Sequence, residues 1–434
     1  MMATDYSSGG AVPEAPDAPR RAGRVRWVIV GLLFAATAIN YVDRQTIALL
    51  KPTLQTEFGW RETTYADIVF WFQVAYALGY MVFGNFVDRV GARIGYAAAF
   101  TLWTCAHILH AAVSSVFGFG AVRFLLGIGE SGNFPAGLKA VTEWFPKKER
   151  ALATGIFNAG SNVGAILAPW IVPAVTLAYG WRAAFVITGV GSLVWLIAWI
   201  GIYRRPRENR YVSEAELAHI ESDPADPAAK VPWARLIGRR ETWAFAVGKF
   251  LTDPVWWMFL FWLPDFLVKR HNLDLKNFGP PLIVIYIVSD LGSIGGGALS
   301  SFLIHRGWTI NRARKTTMLI CALAVTPIFF AQYVDSLWGA VAIIGLATAA
   351  HQAWSANLYT LPSDMFPRKA VGSVVGIGGT AGAVGGMIFS LYIGQVLERL
   401  GTYSLIFYVA GSVYLIALAI IHWLSPRLDH AEVC

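Results

Sequence analysis

The sequence predicts an all-α integral membrane protein whose twelve transmembrane helices form two six-helix bundles. Three observations carry that expectation. The 434 residues are 56% hydrophobic and only 14% charged, with a mean hydropathy of +0.51. A soluble domain carries about 25% charged residues, so this chain lacks the polar surface to cover itself in water. Apolar runs of ~20 residues, the length that crosses a hydrocarbon core, recur along the whole chain. Lysine and arginine concentrate in alternate loops, as they do in multi-pass proteins with a fixed orientation.

Residues 1–26 are rich in Gly, Pro and Ala and end in Arg20, Arg21, Arg24 and Arg26, which reads as a disordered cytoplasmic tail. The apolar run that follows is too long for the core of a cleavable signal and lacks a convincing cleavage site, so no signal peptide is expected. The first bundle, 27–203, holds spans at 27–50, 64–87, 94–113, 117–139, 150–174 and 182–203. A polar stretch, 204–241, reads as a solvated cytoplasmic linker, with a short helix at 213–221 that Ser213 would cap. The second bundle, 242–425, holds spans at 242–268, 280–304, 316–334, 338–362, 371–396 and 404–425, and a cytoplasmic tail, 426–434, follows.

With the N-terminus inside, the cytoplasmic segments hold 25 of the 35 lysines and arginines and the outer segments 7. Both termini and the linker are therefore expected on the cytoplasmic side. The net charge of +8 follows from this topology and from contact with anionic membrane lipid, so no nucleic-acid partner is expected. Cys105, Cys321 and Cys434 show neither metal-ligand spacing nor a disulfide framework. Gly127 to Gly132 fits G-x-G-x-x-G, but it lies inside an apolar helix with no strand before it, so it is not a dinucleotide fingerprint. No ATPase-type phosphate loop occurs. Neither a metal nor an organic cofactor is expected, and a proton gradient would be the energy source.

More than one turn inside the predicted spans lie three cations, Arg44, Arg123 and Lys249, with the acids Asp43, Glu130, Asp253 and Asp290. A charge at the bilayer centre costs roughly 2.5–3.5 kcal/mol, so such residues face a cavity, pair with each other, or carry function. At ~1.5 Å of rise per residue, Arg44 and Arg123 both lie ~9 Å from the outer ends of their helices, one level at which two cations could hold one anion. Glu130 lies two turns deeper than Arg123 on nearly the same face. Asp43 points ~100° away from Arg44 around its helix. Cations for a carboxylate and carboxyls for a proton thus share the first half. Asn40, Tyr41, Tyr76, Asn158, Ser161, Asn162, Trp256, Trp257, His351, Gln352, Asn357 and Tyr359 offer donors, acceptors and flat rings suited to a hydroxyl-rich ligand. Many of the 42 glycines sit within spans, where small residues let helices approach closely. Two blocks of six helices around a polar loop suggest a site near the midplane, reached from each side in turn as the halves rock.

GNFVDRVGAR, from Gly84 to Arg93 between spans 2 and 3, resembles the G-x-x-x-D-R-x-G-x-R signature of the major facilitator superfamily. The second-half counterpart, from Gly297 through His305, Arg306 and Gly307 to Arg312, lacks the acid. NYVDR (Asn40–Arg44) and RFLLGIGE (Arg123–Glu130) look like the anion:cation symporter branch of that family. The segments Gly155–Gly164, Gly248–Trp257 and His351–Tyr359 look like bacterial hexuronate transporters. The resemblance implies proton-coupled uptake of organic anions. It implies Asp43 and Glu130 as protonation sites, Arg44 as the coupling residue, and Arg123, Tyr41 and Tyr76 as substrate contacts. It implies an inner-gate role, without substrate contact, for Gly84, Asp88, Arg89, Gly91 and Arg93. Some galactonate-type relatives carry Gln where this chain has Ser161, so their specificity does not transfer.

The expected activity is import of a hexuronate such as glucuronate or galacturonate with protons, across a bacterial inner membrane, by a monomer. Arg44, Arg123 and Lys249 would neutralise the carboxylate, and Tyr41, Tyr76, Ser161, Asn162, His351, Gln352 and Asn357 would contact hydroxyls. An importer of an aldonate, aldarate or aromatic acid, and an efflux carrier, are the alternatives. A membrane-embedded enzyme would need a nucleophile–base pair or a metal cluster near one interface, and the sequence offers neither.

Overall fold

The computed structural model describes residues 23–222, 233–277, 279–366, 368–428 and 431. Most of the two predicted tails and residues 223–232 of the linker lie outside the described residues. Among those described there is no strand. The helices are α1 (Val25–Phe58), α2 (Glu62–Leu109), α3 (Val116–Ser131), α4 (Asn133–Trp144), α5 (Lys147–Tyr179), α6 (Trp181–Ile202), α7 (Glu214–Ile220) and α8 (Trp233–Ile237). The second half continues with α9 (Arg240–Phe261), α10 (Leu263–His271), α11 (Gly279–His305), α12 (Ile310–Val325), α13 (Leu337–Leu358), α14 (Leu361–Met365), α15 (Arg368–Leu400) and α16 (Ser404–Leu424).

Eight of these segments are long and apolar enough to cross a membrane outright, or nine with a bent pair counted as one. The remaining spans carry breaks. Gly91, at φ +83°, turns α2 sharply and divides it into two spans, a conformation that a residue with a Cβ rarely adopts. α3 runs on into α4 through Gly132, and α9 into α10 through Trp262. Pro264 in the first turn of α10 has no N–H to donate, so it tolerates that break. Counted this way, the described residues form twelve rods. Their outer faces are apolar, with Ile197, Trp170 and Trp423 at least 70% exposed, whereas Asp43, Arg123 and Glu130 are fully buried. Lipid as solvent explains that inversion.

The packing repeats between halves. α1 lies on α5 and α2 on α3; in the second half α9 lies on α15 and α11 on α13. The halves meet where α2 touches α15 and α5 touches α11. Glycines set these approaches. A Cβ on Gly385 would lie 2.1 Å from the carbonyl oxygen of Phe250, and one on Gly160 2.2 Å from that of Phe34. A Cβ on Gly379 would meet nothing within 4 Å. Gly385→Val is therefore expected to lower stability by about 1–3 kcal/mol through overpacking, and Gly379→Val to change it little. Thermal unfolding in detergent reads the difference; equal midpoints for the two variants would refute it.

Hydrogen bonds and ion pairs between the halves cluster at one end. Lys51 pairs with Glu62 at 2.7 Å and with Asp265 at 2.8 Å. Lys269 pairs with Asp265 at 3.1 Å and with Glu62. The Glu398 carboxylate accepts from the Glu62 backbone N–H at 3.0 Å, and the Tyr65 hydroxyl donates to the Phe261 carbonyl at 3.0 Å. The halves are thus locked at the Glu62 end.

Three expectations need correction. α1 does not stop at Leu50 but runs to Phe58, so Lys51 lies in a helix, fully buried, rather than in an outer loop. Its carboxylate partners make that burial tolerable. α1 also starts at Val25, inside the predicted tail, and Arg26 is 7% exposed. Nor is the linker wholly solvated. Ser213 does cap α7, accepting from the Glu216 N–H at 3.2 Å, but Glu216 is fully buried. Arg26 reaches Glu216 at 3.3 Å and Glu149 at 3.0 Å, and His219 bonds Glu149 at 2.9 Å, which docks α7 on the first half. Burial pushes the Glu149 carboxyl up, but the bonds from His219 and Arg26 outweigh it and hold the group below its ordinary value.

Candidate functional site

α1 carries Asn40, Tyr41, Asp43 and Arg44 within little more than one turn, and the 3.6-residue period splits them between two faces. Asn40 and Arg44, four apart, share a face: the Arg44 Nη2 donates to the Asn40 Oδ1 at 3.1 Å. The Arg44 Nε donates to the Glu130 Oε2 of α3 at 2.8 Å, and both residues are buried. Aromatic rings enclose the guanidinium. It lies 4.9 Å from the centroids of Tyr41 and Tyr76, 5.6 Å from that of Trp257 on α9 and 5.7 Å from that of Phe72. A desolvated cation over ring faces gains about 2 kcal/mol, which offsets part of the burial cost.

Arg123 sits beside this group but does not mirror Arg44. Its Nη2 donates to the Arg44 carbonyl at 2.7 Å, and its guanidinium lies 4.4 Å from the Phe72 ring. The two arginines therefore stack through the α1 backbone instead of flanking an open gap. Several polar atoms around them are buried without a protein partner: Asn40 Nδ2, Glu130 Oε1, Arg123 Nε and Nη1, and Gln73 Nε2. Buried polar atoms are nearly always bonded, so this concentration marks where a ligand or ordered water belongs. Gln73 is also a bridge, since its Oε1 accepts from Ser390 of the second half at 3.2 Å.

Asp43, about 100° around α1, faces away from Arg44. Its Oδ1 lies 3.3 Å from the Nε2 of His107 on α2. The two acids of the first half thus have separate surroundings, Glu130 against the arginines and Asp43 against a histidine.

In the second half the Lys249 Nζ pairs with the Asp253 Oδ2 at 2.6 Å, donates to the Tyr359 hydroxyl at 2.7 Å and lies 4.1 Å from the Tyr359 ring centroid. Lys249 stands on α9, which packs on α15 as α1 packs on α5. α9 also reaches the Arg44 group through Trp257, whose ring lies 6.2 Å from that of Tyr76 and 5.6 Å from the Arg44 guanidinium.

The other candidates divide. Asn162 and Gln352 are half-buried, and the Asn162 Oδ1 accepts from the Ser161 hydroxyl at 3.3 Å. The Ser161 hydroxyl turns onto its own helix, donating to the Asn158 carbonyl at 2.7 Å. His351 is 3% exposed, stacked on Trp256 with centroids 5.4 Å apart and bonded to the Tyr414 hydroxyl at 2.6 Å. Asn357 is 1% exposed and donates to the carbonyls of Gly296 and Ala353, tying α13 to α11. His351 and Asn357 therefore brace the wall instead of lining it.

At the opposite end from Glu62, the Asp88 Oδ1 meets the Lys139 Nζ at 3.4 Å. Arg93 donates to the Ile200 carbonyl at 2.8 Å, and its own carbonyl accepts from the Trp199 indole at 3.0 Å. Asp88, Arg89 and Gly91 line a cleft of about 420 Å³ with Lys139, Glu143, Glu221 and the linker residues Arg205 to Glu208. Gly84 stands two turns earlier on α2, where an added Cβ would meet nothing. The mixed charges of the cleft join helices and linker, whereas the unpartnered atoms of Asn40, Glu130 and Arg123 lie at Arg44. Among the described residues no group of three or more His, Cys, Asp or Glu is placed to hold a metal ion.

Sequence reasoning missed His107, Gln73 and the Lys51–Asp265 pair. His107 and Gln73 were visible as polar residues inside apolar runs; the buried role of Lys51 required knowing that α1 continues.

Comparison with known proteins shows the family and the fold. The family model of the Major Facilitator Superfamily matches residues 33–390. The chain is 31% identical over 390 residues to the hexuronate transporter of Escherichia coli (strain K12), covering 88% of this chain and 90% of that one. It is 33% identical over 306 residues to the galacturonate transporter of Dickeya chrysanthemi, covering 69% of this chain and 88% of the relative. An inward-facing, occupied structure of a bacterial homolog of the human lysosomal transporter Spinster superposes with a TM-score of 0.73 at 18% identity, over 93% of this chain and 98% of the other.

Proposed function

This chain belongs to the Major Facilitator Superfamily, and from that premise we propose that it imports hexuronate-like sugar acids with protons across a bacterial inner membrane. It is a multi-pass membrane transporter, and the relatives named above are carriers. One observation supports the finer reading most: a buried arginine, Arg44, held by one carboxylate inside a box of aromatic rings, with unpartnered donors beside it.

A sugar acid brings a carboxylate and several hydroxyls. The carboxylate competes with Glu130 for Arg44, since a guanidinium offers a planar fork that carboxylates bind strongly. Protonating Glu130 removes its charge and releases Arg44 to the substrate. Proton and anion then bind together, which is the requirement of symport. Tyr41, Tyr76 and Trp257 supply ring faces for the sugar, and Arg123 Nη1, Asn40 Nδ2 and Gln73 Nε2 supply donors. Lys249, neutralised by Asp253 on the second half, meets the other end of the substrate. The Glu62 end is the periplasmic gate, closed here, and the Asp88 end faces the cytoplasm.

Purified protein in proteoliposomes tests this. Labelled glucuronate or galacturonate is expected to accumulate under an inward proton gradient, and a protonophore to abolish the accumulation. A saturating sugar acid at 100 times its Kd is expected to stabilise the protein by about 2.7 kcal/mol in a thermal-shift assay. Uptake indifferent to the gradient would exclude symport, and the absence of both uptake and thermal shift would exclude sugar acids.

A further inference from the structure

We propose that His107 is the positioning residue for the proton carried by Asp43, holding that carboxyl apart from the substrate chamber with the help of Thr188. The inference rests on the proton-coupled reading above and deepens it, by giving the two acids of the first half different partners.

Asp43 is fully buried, and neither carboxyl oxygen accepts a hydrogen bond of good geometry. The cation beside it in sequence is committed elsewhere, for Arg44 is bound to Glu130 and Asn40. Two side chains of α2 approach Asp43: His107, at 3.3 Å from Nε2 to Oδ1, and Trp103 one turn earlier.

The protonation of that nitrogen follows from its other neighbour. The His107 Nε2 lies 2.8 Å from the Thr188 Oγ1 of α6. The Thr188 hydroxyl spends its one proton on the Ala184 carbonyl at 2.7 Å. A hydroxyl has a single proton, so it accepts from the imidazole and Nε2 carries the hydrogen. That N–H bonds Thr188 Oγ1, while Asp43 Oδ1 stands 3.3 Å from the same nitrogen, close enough to compete for it after a small rotation. The Asp43 Oδ2 stays free to take a proton, and the His107 Nδ1 is a buried lone pair without a partner. The ring itself is fixed by packing, with its centroid 5.2 Å from that of Phe185.

The other charged or titratable groups near the pair are Glu130 and Arg123, felt by Asp43, and His110 and Arg123, felt by His107. His110 stacks on Phe185 at 4.9 Å, and its Nδ1 faces the Ala106 carbonyl at 2.8 Å, so it does not reach Asp43 directly. With His107 neutral, its N–H steadies the Asp43 carboxylate after the proton has left. With Asp43 protonated, the same N–H still has Thr188 as acceptor. The histidine therefore supports both states and decides how readily the proton departs.

The test compares pH profiles of gradient-driven uptake. His107→Leu removes the imidazole donor and leaves the Asp43 carboxylate with Trp103 alone, so Asp43 is expected to keep its proton to higher pH. The alkaline limb of uptake is expected to move up by about one pH unit. His107→Gln keeps an N–H within reach and is expected to restore most of the wild-type profile. Thr188→Val keeps the histidine but loses its acceptor, and is expected to move the limb less. Counterflow exchange of labelled for unlabelled substrate at fixed pH, which needs no net proton movement, is expected to survive in all three and reports that they fold and bind.

If the wild type shows no proton dependence, symport itself falls, and the inference with it. If the wild type is proton-driven and His107→Leu retains counterflow with an unmoved pH profile, the inference alone is overturned. Equal loss of counterflow in all three variants, Gln included, would also overturn it, because His107 would then be only a packing element.

Discussion

Arg44→Ala is expected to lower sugar-acid uptake by at least ~100-fold while leaving a foldable protein. Breaking a buried ion pair from one side strands the other charge, at a cost of about 3–5 kcal/mol. Here the stranded group is Glu130, fully buried, whose Oε2 loses its 2.8 Å partner. Glu130 relieves that cost by keeping its proton, and a carboxyl that cannot release its proton cannot complete a symport cycle. The substrate carboxylate loses its fork at the same time. Every 1.4 kcal/mol is tenfold in a binding constant, so a loss of ~3 kcal/mol already gives the stated factor. Arg44→Lys keeps the charge but not the rigid planar fork that holds Glu130 and Asn40 in fixed directions. It is expected to recover only part of the uptake. Initial rates in proteoliposomes, with the ligand-induced thermal shift as a binding control, decide the matter. An Arg44→Ala protein keeping half the wild-type rate would remove Arg44 from the site.

Lys51→Met is expected to open the Glu62 end. The Lys51 ammonium is fully buried and joins Glu62 of the first half to Asp265 of the second. Without it two carboxylates face one another with Lys269, 42% exposed at its side chain, as the remaining counter-charge. The most direct relief is for the halves to part there and let water in. A two-state equilibrium moved by ~3 kcal/mol changes its ratio by roughly 100-fold. Ile68, 2% exposed on α2 near this end, gives the readout. The Ile68→Cys thiol is expected to react slowly with a membrane-impermeant reagent when Lys51 is present, and rapidly in the Lys51→Met background. Equal labelling rates would show that the lock contributes nothing.

The same lock has a predictable response to acid. Glu62 lies in the first turn of α2, ahead of the predicted span. Burial pushes its carboxyl up, but the Lys51 and Lys269 ammoniums outweigh that and hold it at about 2. A depressed carboxyl contributes stability above its unfolded value, near 4.3, and loses that contribution only as the pH falls through the depressed value. Labelling of the Ile68→Cys protein is therefore expected to stay flat from pH 8 to pH 5. A rise across that window would mean that another group opens the gate.

The convergence of four polar and aromatic residues was legible before any coordinates. Arg44, Glu130, Tyr41 and Tyr76 do converge, because helical period and insertion cost together leave few places for a charge in an apolar run. Depth along a helix placed Arg44 and Arg123 at one level, and they are in fact in contact. Rotation about the partner helix was not legible, so the sequence could not tell that Arg123 grips the α1 backbone. His351 and Asn357 looked like ligand contacts for the same reason: a polar residue in a membrane helix bonds either to substrate or to a neighbouring helix, and only the neighbour decides which.

By itself the sequence determined the membrane class, the spans in two series and the charges that had to be housed, since these depend on composition, length and the energy of burying charge. The tertiary structure alone decided which acid faces which base, that α7 and Arg26 are docked, and that Lys51 closes one end. Those outcomes depend on how helices far apart in the chain are rotated against one another, and that is set by close packing of many small contacts, of which no local stretch of sequence holds a record.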